Sequence, residues 1–476
     1  MIDSPDTRSS DVLPARDAWK AMFALSLGFF VSVLDQSLVA VALPGIQADF
    51  AAGVLETLWV SSAYLLAVVV PLLVTGRLGD VVGNKQMFLI GVSVFGLGAL
   101  ACAFAPSIGI LIAARAVQGL GAAMQMPQTM AVINRIFPRE RRGRALGVWG
   151  VVGSVAALTG PLLGGVLVEL FSWHAVFWIH VPVVVVALLV GQRWIPRLPT
   201  FARRIDIPSV LLSAAGLGML VYGIQQGIAQ HGSVMFGAVI ALAAFMLRQR
   251  ALERKKDASA MDQEPLVPLE LFSNRNYAAG TVGIVSMGFM AAAIMLPVML
   301  WLQQIRGIGA GEAGLMVAPM AVISLGLSPV AGILADKLDP RRLASMGFIV
   351  LLAATAGLVV AVRADAAVGW VSVAALGLGV GQSFIWGTNS ATAMRDVQPA
   401  LLGAASGVYN LSRQVGAVIG VAGVSAALQA GTVAGSPHAG VAGAFMVIAL
   451  ALVVGFVASL FFRNTLAQPA AAKRAR

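Results

Sequence analysis

Residues 19–43 read WKAMFALSLGFFVSVLDQSLVAVAL, an apolar run with Lys20 near its start and a single acid, Asp35, well inside it. A membrane-spanning helix needs roughly 20 mostly apolar residues, because each adds about 1.5 Å towards a hydrocarbon core about 30 Å thick. The run is long enough to cross lipid. Asp35 then sits where water is absent, a position that carboxylates occupy only when paired or used.

The same pattern recurs along the chain. Helices are expected at about 19–43, 57–76, 86–105, 108–133, 145–168, 173–192, 207–228, 232–247, 277–302, 313–335, 343–362, 368–393, 402–428 and 440–462, fourteen spans in all. The 476 residues are 59% hydrophobic and 11% charged, with a mean hydropathy of +0.88. That leaves too little polar surface to enclose a water-soluble globule. The start of the chain carries Asp3, Asp6, Asp11 and Asp17 and lacks the basic region and short apolar core of a secretory signal, so the first run is expected to be a retained helix.

The net charge of +11 does not point to nucleic acid, because the basic residues are spread over short loops. They follow the positive-inside rule. With a cytoplasmic N-terminus, only Arg306 and Arg363 of the 32 basic residues fall on the far side, while Arg115 and Arg413 fall inside helices. Fourteen being even, both termini are expected in the cytoplasm of a multi-pass inner-membrane protein. Cys102 is the single cysteine, which excludes an intramolecular disulfide and a thiolate metal cluster.

The longest polar stretch, about Arg248 to Asn276, alternates charge and proline and suits a linker. The expected organisation is a cytoplasmic tail at 1–18, a six-helix bundle at 19–192, two additional spans within 193–250, a linker at 251–276, a second six-helix bundle at 277–462 and a tail at 463–476. Gly76-Arg-Leu-Gly-Asp80 after the second helix and Gly332-Ile-Leu-Ala-Asp336 after the tenth repeat one Gly-x-Leu-x-Asp step. Weak internal repeats of this kind mark secondary transporters, whose halves rock about a central site.

Several segments resemble the major facilitator superfamily, and within it the fourteen-helix drug:proton antiporter family. Leu34-Asp-Gln-Ser-Leu-Val-Ala-Val-Ala-Leu-Pro44 and Trp59-Val-Ser-Ser-Ala-Tyr64 resemble its first two helices, and residues 76–85, including Gly83, its loop motif. Arg115-Ala-Val-Gln-Gly119-Leu-Gly121 resembles its fourth helix. Gly153 with Gly160-Pro161-Leu-Leu-Gly164-Gly165 is similar to the antiporter pattern of its fifth, and Gly403 to Gly416 also resembles this family. Val81 and Asn84 depart from positions often basic in the loop motif, and His174 and His180 stand where arginine and asparagine are more usual. The resemblance implies an all-α integral membrane fold of two six-helix bundles plus two extra helices, and proton-driven export of small molecules such as drugs, with no cofactor and a functional monomer.

Asp35 and Arg115 fall at similar depth, roughly 10–12 Å below the outer surface, so they can meet. A carboxylate whose contact with a guanidinium changes during the cycle takes up and releases a proton; the alternative is a permanent ion pair that only orients two helices. Gln36, Tyr64, Gln118, Gln125, Trp386, Asn389 and Arg413 are expected either to line a substrate cavity or to serve as helix-to-helix hydrogen bonds. Gly153, Gly160, Pro161, Gly164 and Gly165 suit a close-packed hinge. Gly76, Asp80, Gly83, Gly332 and Asp336 are expected to gate the cytoplasmic ends. His174 and His180, near the outer end of the sixth helix, are read as packing or interfacial residues, with pH sensing as the alternative.

No metal or nucleotide site is expected: residues 79–85 read Gly-Asp-Val-Val-Gly-Asn-Lys and lack the phosphate-loop ending. The absence of His-Glu-x-x-His and Gly-x-Ser-x-Gly disfavours an enzyme. One proton entering down 100 mV and one pH unit supplies about 3.7 kcal/mol, enough for roughly a 500-fold gradient of a neutral solute. Small-molecule substrates and membrane lipid are the expected partners, and a dedicated exporter of one endogenous metabolite is the alternative within transport.

Overall fold

Proline placement decides where the spanning runs break. In the computed structural model, which describes residues 12–138, 141–200, 204–226, 232–258 and 263–464, the first run forms α1 (Ala15–Asp49), continuous through Pro44 and longer at both ends than expected. The expected helix at 57–76 is instead two, α2 (Val54–Val69) and α3 (Leu72–Val82), bent by 46°. Pro71 lies in the break; it has no N–H to give and its ring crowds the preceding turn. The expected span at 173–192 forms as a single span, Trp173–Trp194, interrupted only at Ile179 between α7 (Trp173–Trp178) and α8 (His180–Trp194), three residues ahead of Pro182.

The remaining helices follow the apolar pattern. They are α4 (Asn84–Ala103), α5 (Ile108–Ile136), α6 (Arg142–Leu170), α9 (Ile207–Gln226), α10 (Gly232–Ala258), the short α11 (Glu270–Ser273), α12 (Arg275–Ala293), α13 (Met295–Leu300), α14 (Ala310–Lys337), α15 (Pro340–Arg363), α16 (Trp370–Met394), α17 (Leu402–Val433) and α18 (Pro437–Ser459). α13 runs into a π turn at Trp301–Ile305. α10 extends into the stretch expected as linker, where the helix formers Ala251, Leu252, Glu253 and Arg254 continue it. Two residues on either side of α9 and α10 form a small parallel ladder, β1 (Arg204–Ile205) on β2 (Gln263–Glu264).

Among the described residues, 12 helices are long and apolar enough to cross a membrane, or 13 with α2 and α3 taken as one bent span. α6, 29 residues long, occupies the place of the expected span at 145–168 and stands outside that number. Both expected tails lie largely outside the described residues, as do residues 259–262 of the expected linker. Large apolar side chains on the outer faces, such as Leu97, Phe104, Leu189, Leu315 and Leu450, are exposed, as lipid contact requires.

Two compact units emerge, and neither is a simple half of the sequence. One comprises residues 1–138, 152–270 and 398–411; the other comprises 139–151, 271–397 and 412–476. The start of α6 therefore packs with the later helices, and the start of α17 with the earlier ones. Within the first unit, Leu34, Leu38, Ala42, Val60, Cys102, Leu111, Ala114, Val176 and Phe177 form a buried apolar cluster.

Candidate functional site

That cluster surrounds the most deeply enclosed charges among the described residues. Asp35 on α1 and Arg115 on α5 are 0% and 1% exposed, and the guanidinium Nη1 donates to both carboxylate oxygens at 2.8 and 2.7 Å. Arg115 Nη1 also donates to Gln118 Oε1 at 2.6 Å, and Nε to the Val60 carbonyl at 3.1 Å. Gln118 Nε2 closes the ring by donating to Asp35 Oδ1 at 2.9 Å. The Tyr64 ring lies 4.3 Å beneath the guanidinium, a cation–π contact strengthened by the absence of water. Cys102 Sγ reaches Gln118 Oε1 at 3.7 Å.

A hydrogen-bonded, charge-compensated pair is the form in which ions survive in hydrocarbon; removing one partner there costs about 3–5 kcal/mol. A third titratable group stands beside it. His180, the first residue of α8, is fully buried with Nε2 3.8 Å from Asp35 Oδ1. The structure places it, packed and buried at the start of α8, beside the ion pair. His174 instead stacks on Trp173 at 3.7 Å.

The expected cavity residues separate into two groups. Tyr64 Oη donates to the Ser32 carbonyl at 3.2 Å and Gln125 Nε2 to Ser32 Oγ at 2.7 Å, so Ser32 organises α1, α2 and α5. Asn389 Nδ2 donates to the Gly280 carbonyl at 2.8 Å, tying α16 to α12. These side chains, with Gln118, are buried and engaged between helices. Gln36, Trp386 and Arg413 are half-buried.

The repeated Gly-x-Leu-x-Asp step forms two similar junctions. In the first unit, a Cβ on Gly76 would come 2.8 Å from the Gly403 carbonyl and 3.1 Å from Gly407 Cα, and one on Gly403 would collide with the Asp80 carboxylate. In the second, a Cβ on Gly332 would come 2.8 Å from the Gly143 carbonyl and 3.3 Å from Gly147 Cα, and one on Gly143 would collide with Asp336. Asp336 accepts from the backbone N–H of Gly143 at 2.7 Å and of Arg144 at 2.9 Å, at the positive end of α6. Gly143, Gly147, Gly403 and Gly407 thus complete the two junctions, although their pairings are not visible in sequence.

Around the first junction, Gln128 Nε2 donates to the Thr75 carbonyl at 2.8 Å, Asn84 Nδ2 to Gln128 Oε1 at 2.9 Å, and Arg135 Nη1 to Asn84 Oδ1 at 3.1 Å. The departure at Asn84 gains a reason: an amide both donates and accepts there, which a basic side chain cannot do. Gly83 ends α3 at φ +106°, a conformation that side chains resist. Arg77 Nη2 donates to the Pro265 carbonyl at 2.6 Å, tying α3 to the segment after α10.

On α6, a Cβ at Gly160 would collide with Ser37, one at Gly164 would press on Leu38 and Val41 at 3.2–3.3 Å, and one at Gly153 on Phe29 at 3.1 Å. Gly165 has open space beside it, so close packing does not require glycine there. Pro161 lies in the same stretch of α6.

One junction reused in both units, inside a chain made almost wholly of spanning helices, defines a secondary-transporter type of membrane protein. The description "Major Facilitator Superfamily" matches residues 25–421, and the chain belongs to that superfamily. An uncharacterized MFS-type transporter of Mycobacterium tuberculosis is 40% identical over 411 residues, covering 86% of this chain and 70% of its own length. The tetracenomycin C resistance and export protein of Streptomyces glaucescens is 30% identical, covering 85% and 74%. The multidrug resistance protein Stp of Mycobacterium tuberculosis is 31% identical, covering 86% and 75%. In fold, the chain resembles the human organic anion transporter TETRAN, with a TM-score of 0.67, 13% identity and coverage of 94% and 100%. The protein is a multi-pass membrane transporter rather than an enzyme, and its substrates are small molecules.

Proposed function

We propose that this transporter exports drugs or other small amphipathic molecules across the cytoplasmic membrane in exchange for protons, by alternating access. The observation that carries this reading is the enclosed Asp35–Arg115 pair, whose carboxylate is 0% exposed and is held by the Arg115 guanidinium. Protonating Asp35 releases Arg115, and rebinding expels the proton; an exchange of this kind couples a proton to rearrangement of α1 against α5. Gln36, Trp386 and Arg413, half-buried on α1, α16 and α17, are the polar handles offered to substrate.

Asp80 and Asp336, with Gly76, Gly83 and Gly332, hold the cytoplasmic ends shut in one state and release them in the other. α6 serves as the fourteenth span, two six-helix bundles flank the α9 and α10 pair, both termini face the cytoplasm of the inner membrane, and the monomer is the working unit. H⁺ is the coupling ion and no cofactor takes part.

A narrower reading, export of one endogenous compound, is favoured by the relative named for tetracenomycin C alone. A single experiment addresses both: dissipation of a preset pH gradient in inverted vesicles, with tetracenomycin C, lipophilic cations, neutral antibiotics and acidic compounds added in turn. Dissipation by several compounds that vanishes in Asp35→Asn is the expected result. Response to one compound alone selects the dedicated exporter, and an unchanged response in Asp35→Asn removes Asp35 from coupling.

A further inference from the structure

His180 is placed as no structural histidine needs to be. It is fully buried, and neither ring nitrogen has a hydrogen-bond partner of normal geometry, although an unpaired polar group in a dry interior is costly. Its ring is held edge-on by Phe95 of α4, with centroids 5.6 Å apart. That contact directs Nε2 at Asp35 Oδ1, 3.8 Å away, the oxygen that already accepts from Arg115 and Gln118.

The other titratable or charged groups of this site are Arg115 on α5, Tyr64 on α2, which lies under the guanidinium, and Cys102 on α4, which reaches Gln118. Tyr64 and Cys102 hold their protons at physiological pH and Arg115 never gives one up. His180 is then the group beside the carboxylate whose ordinary range lies near physiological pH.

Resting on the antiport reading, we infer that His180 is the second proton-binding group of the Asp35 site and exchanges the transported proton with the carboxylate. An approach of about 1 Å brings Nε2 and Oδ1 into hydrogen-bond range. The Nε2–H bond then breaks with its electron pair left on nitrogen, and an O–H bond forms on Asp35. Imidazolium and carboxylate become neutral imidazole and carboxylic acid, so the site's net charge is conserved, and the neutral carboxyl no longer anchors Arg115. The reverse step restores the ion pair.

The test uses the full chain in lipid nanodiscs with ¹⁵N-labelled histidine, the His180 signal being assigned by its loss in His180→Asn. The probe is the proton itself, titrated from pH 5 to 9. The expected result is a His180 transition whose midpoint moves by one pH unit or more in Asp35→Asn, a tenfold change in proton affinity. A His180 signal that does not titrate, or a midpoint indifferent to Asp35, overturns the inference.

A second arm follows gradient dissipation from pH 5.5 to 8 in folded His180→Asn and His180→Gln, with the compound that drives it most strongly in wild type. A flattened pH profile in these variants is expected, whereas a profile superimposable on wild type overturns the inference. If neither variant folds, the titration of wild type against Asp35→Asn decides. Absence of dissipation by any compound in wild type sinks the antiport reading instead, and the titration separates that outcome from failure of the His180 inference.

Discussion

The junction of α3 with α17 and that of α14 with α6 use the same parts, a Gly-x3-Asp step against a Gly-x3-Gly step, yet they are anchored differently. Asp80 is 2% exposed and lies beside a hydrogen-bonded chain through Thr75, Gln128, Asn84 and Arg135, with Arg77 fixed to the Pro265 carbonyl. Asp336 is half-buried and accepts from two backbone N–H groups at the start of α6. One repeat has been built into a braced joint and the other into a helix-end contact. Repetition therefore fixes the close approach, while the surroundings decide how readily each contact is released.

The largest effect is expected where that approach is blocked. Gly403→Leu and Gly143→Leu each drive a side chain into the facing aspartate. Each variant is expected to reach the membrane in normal amount and lose at least 50-fold in compound-driven gradient dissipation. A variant that keeps transport within twofold removes its junction from the cycle.

Next come the aspartates themselves. Asp336→Asn weakens two charge-assisted bonds, on the order of 1–2 kcal/mol, so dissipation is expected to fall about 5- to 30-fold. Asp80→Asn, inside its braced surroundings, is expected to lower thermal stability as well, by roughly 1–3 kcal/mol in unfolding assays. Equal stability losses at the two positions would erase the distinction between the two joints.

The bracing has its own test in Asn84→Arg, which restores the residue type the loop motif more often carries. It removes the amide that joins Gln128 to Arg135 and sets two guanidinium groups together. A loss of several degrees in melting temperature is expected, with substrate range unchanged; unchanged stability would show that Asn84 is a neutral departure.

These differences mark how far the sequence alone reached. Asp35 and Arg115 were legible because an acid and a base at matching depth in lipid have few alternatives to each other. The paired glycines were not, since 52 glycines offer many candidates and only tertiary packing selects Gly143 and Gly403 as partners. The expected single helix at 57–76 overlooked Pro71, whereas Pro44 leaves α1 unbroken, so proline shows where a bend is permitted and the neighbours decide whether it occurs. His180 was singled out in sequence, but its place against Asp35 was not legible there, because it depends on how the start of α8 packs against α1. Tyr64 and Gln125, which meet Ser32, were left open between cavity lining and helix-to-helix hydrogen bonding because sequence cannot tell a side chain facing a neighbouring helix from one facing a substrate.

The smallest expected effect concerns the α9 and α10 pair, of which the start of α9 and the end of α10 are tied next to the segment that Arg77 grips. Asp206, just ahead of α9, accepts from Ser209 N at 3.0 Å and Ser209 Oγ at 2.6 Å, and from Arg248 Nε and Nη2 at 2.6 and 2.7 Å. Gln249 donates to Ser209 Oγ at 2.7 Å and accepts from Val267 N at 3.2 Å, which carries the tie on to the stretch containing Pro265. The bond from Arg248 is the main reason that the Asp206 carboxyl is held down to about 2, below its ordinary value of 3.8. A carboxyl depressed by folding stabilises the folded state fully above the ordinary value and loses that contribution as pH falls from about 4 towards 2. Because Arg248 is 38% exposed, solvent screening reduces the contribution to on the order of 1–2 kcal/mol. Thermal unfolding of wild type against Arg248→Gln should therefore show a stability gap that is constant from pH 7 to about 5 and closes below pH 4. A gap that stays constant down to pH 2.5 would mean that Arg248 contributes through packing rather than through the Asp206 charge, and that the brace on the first junction ends at Pro265.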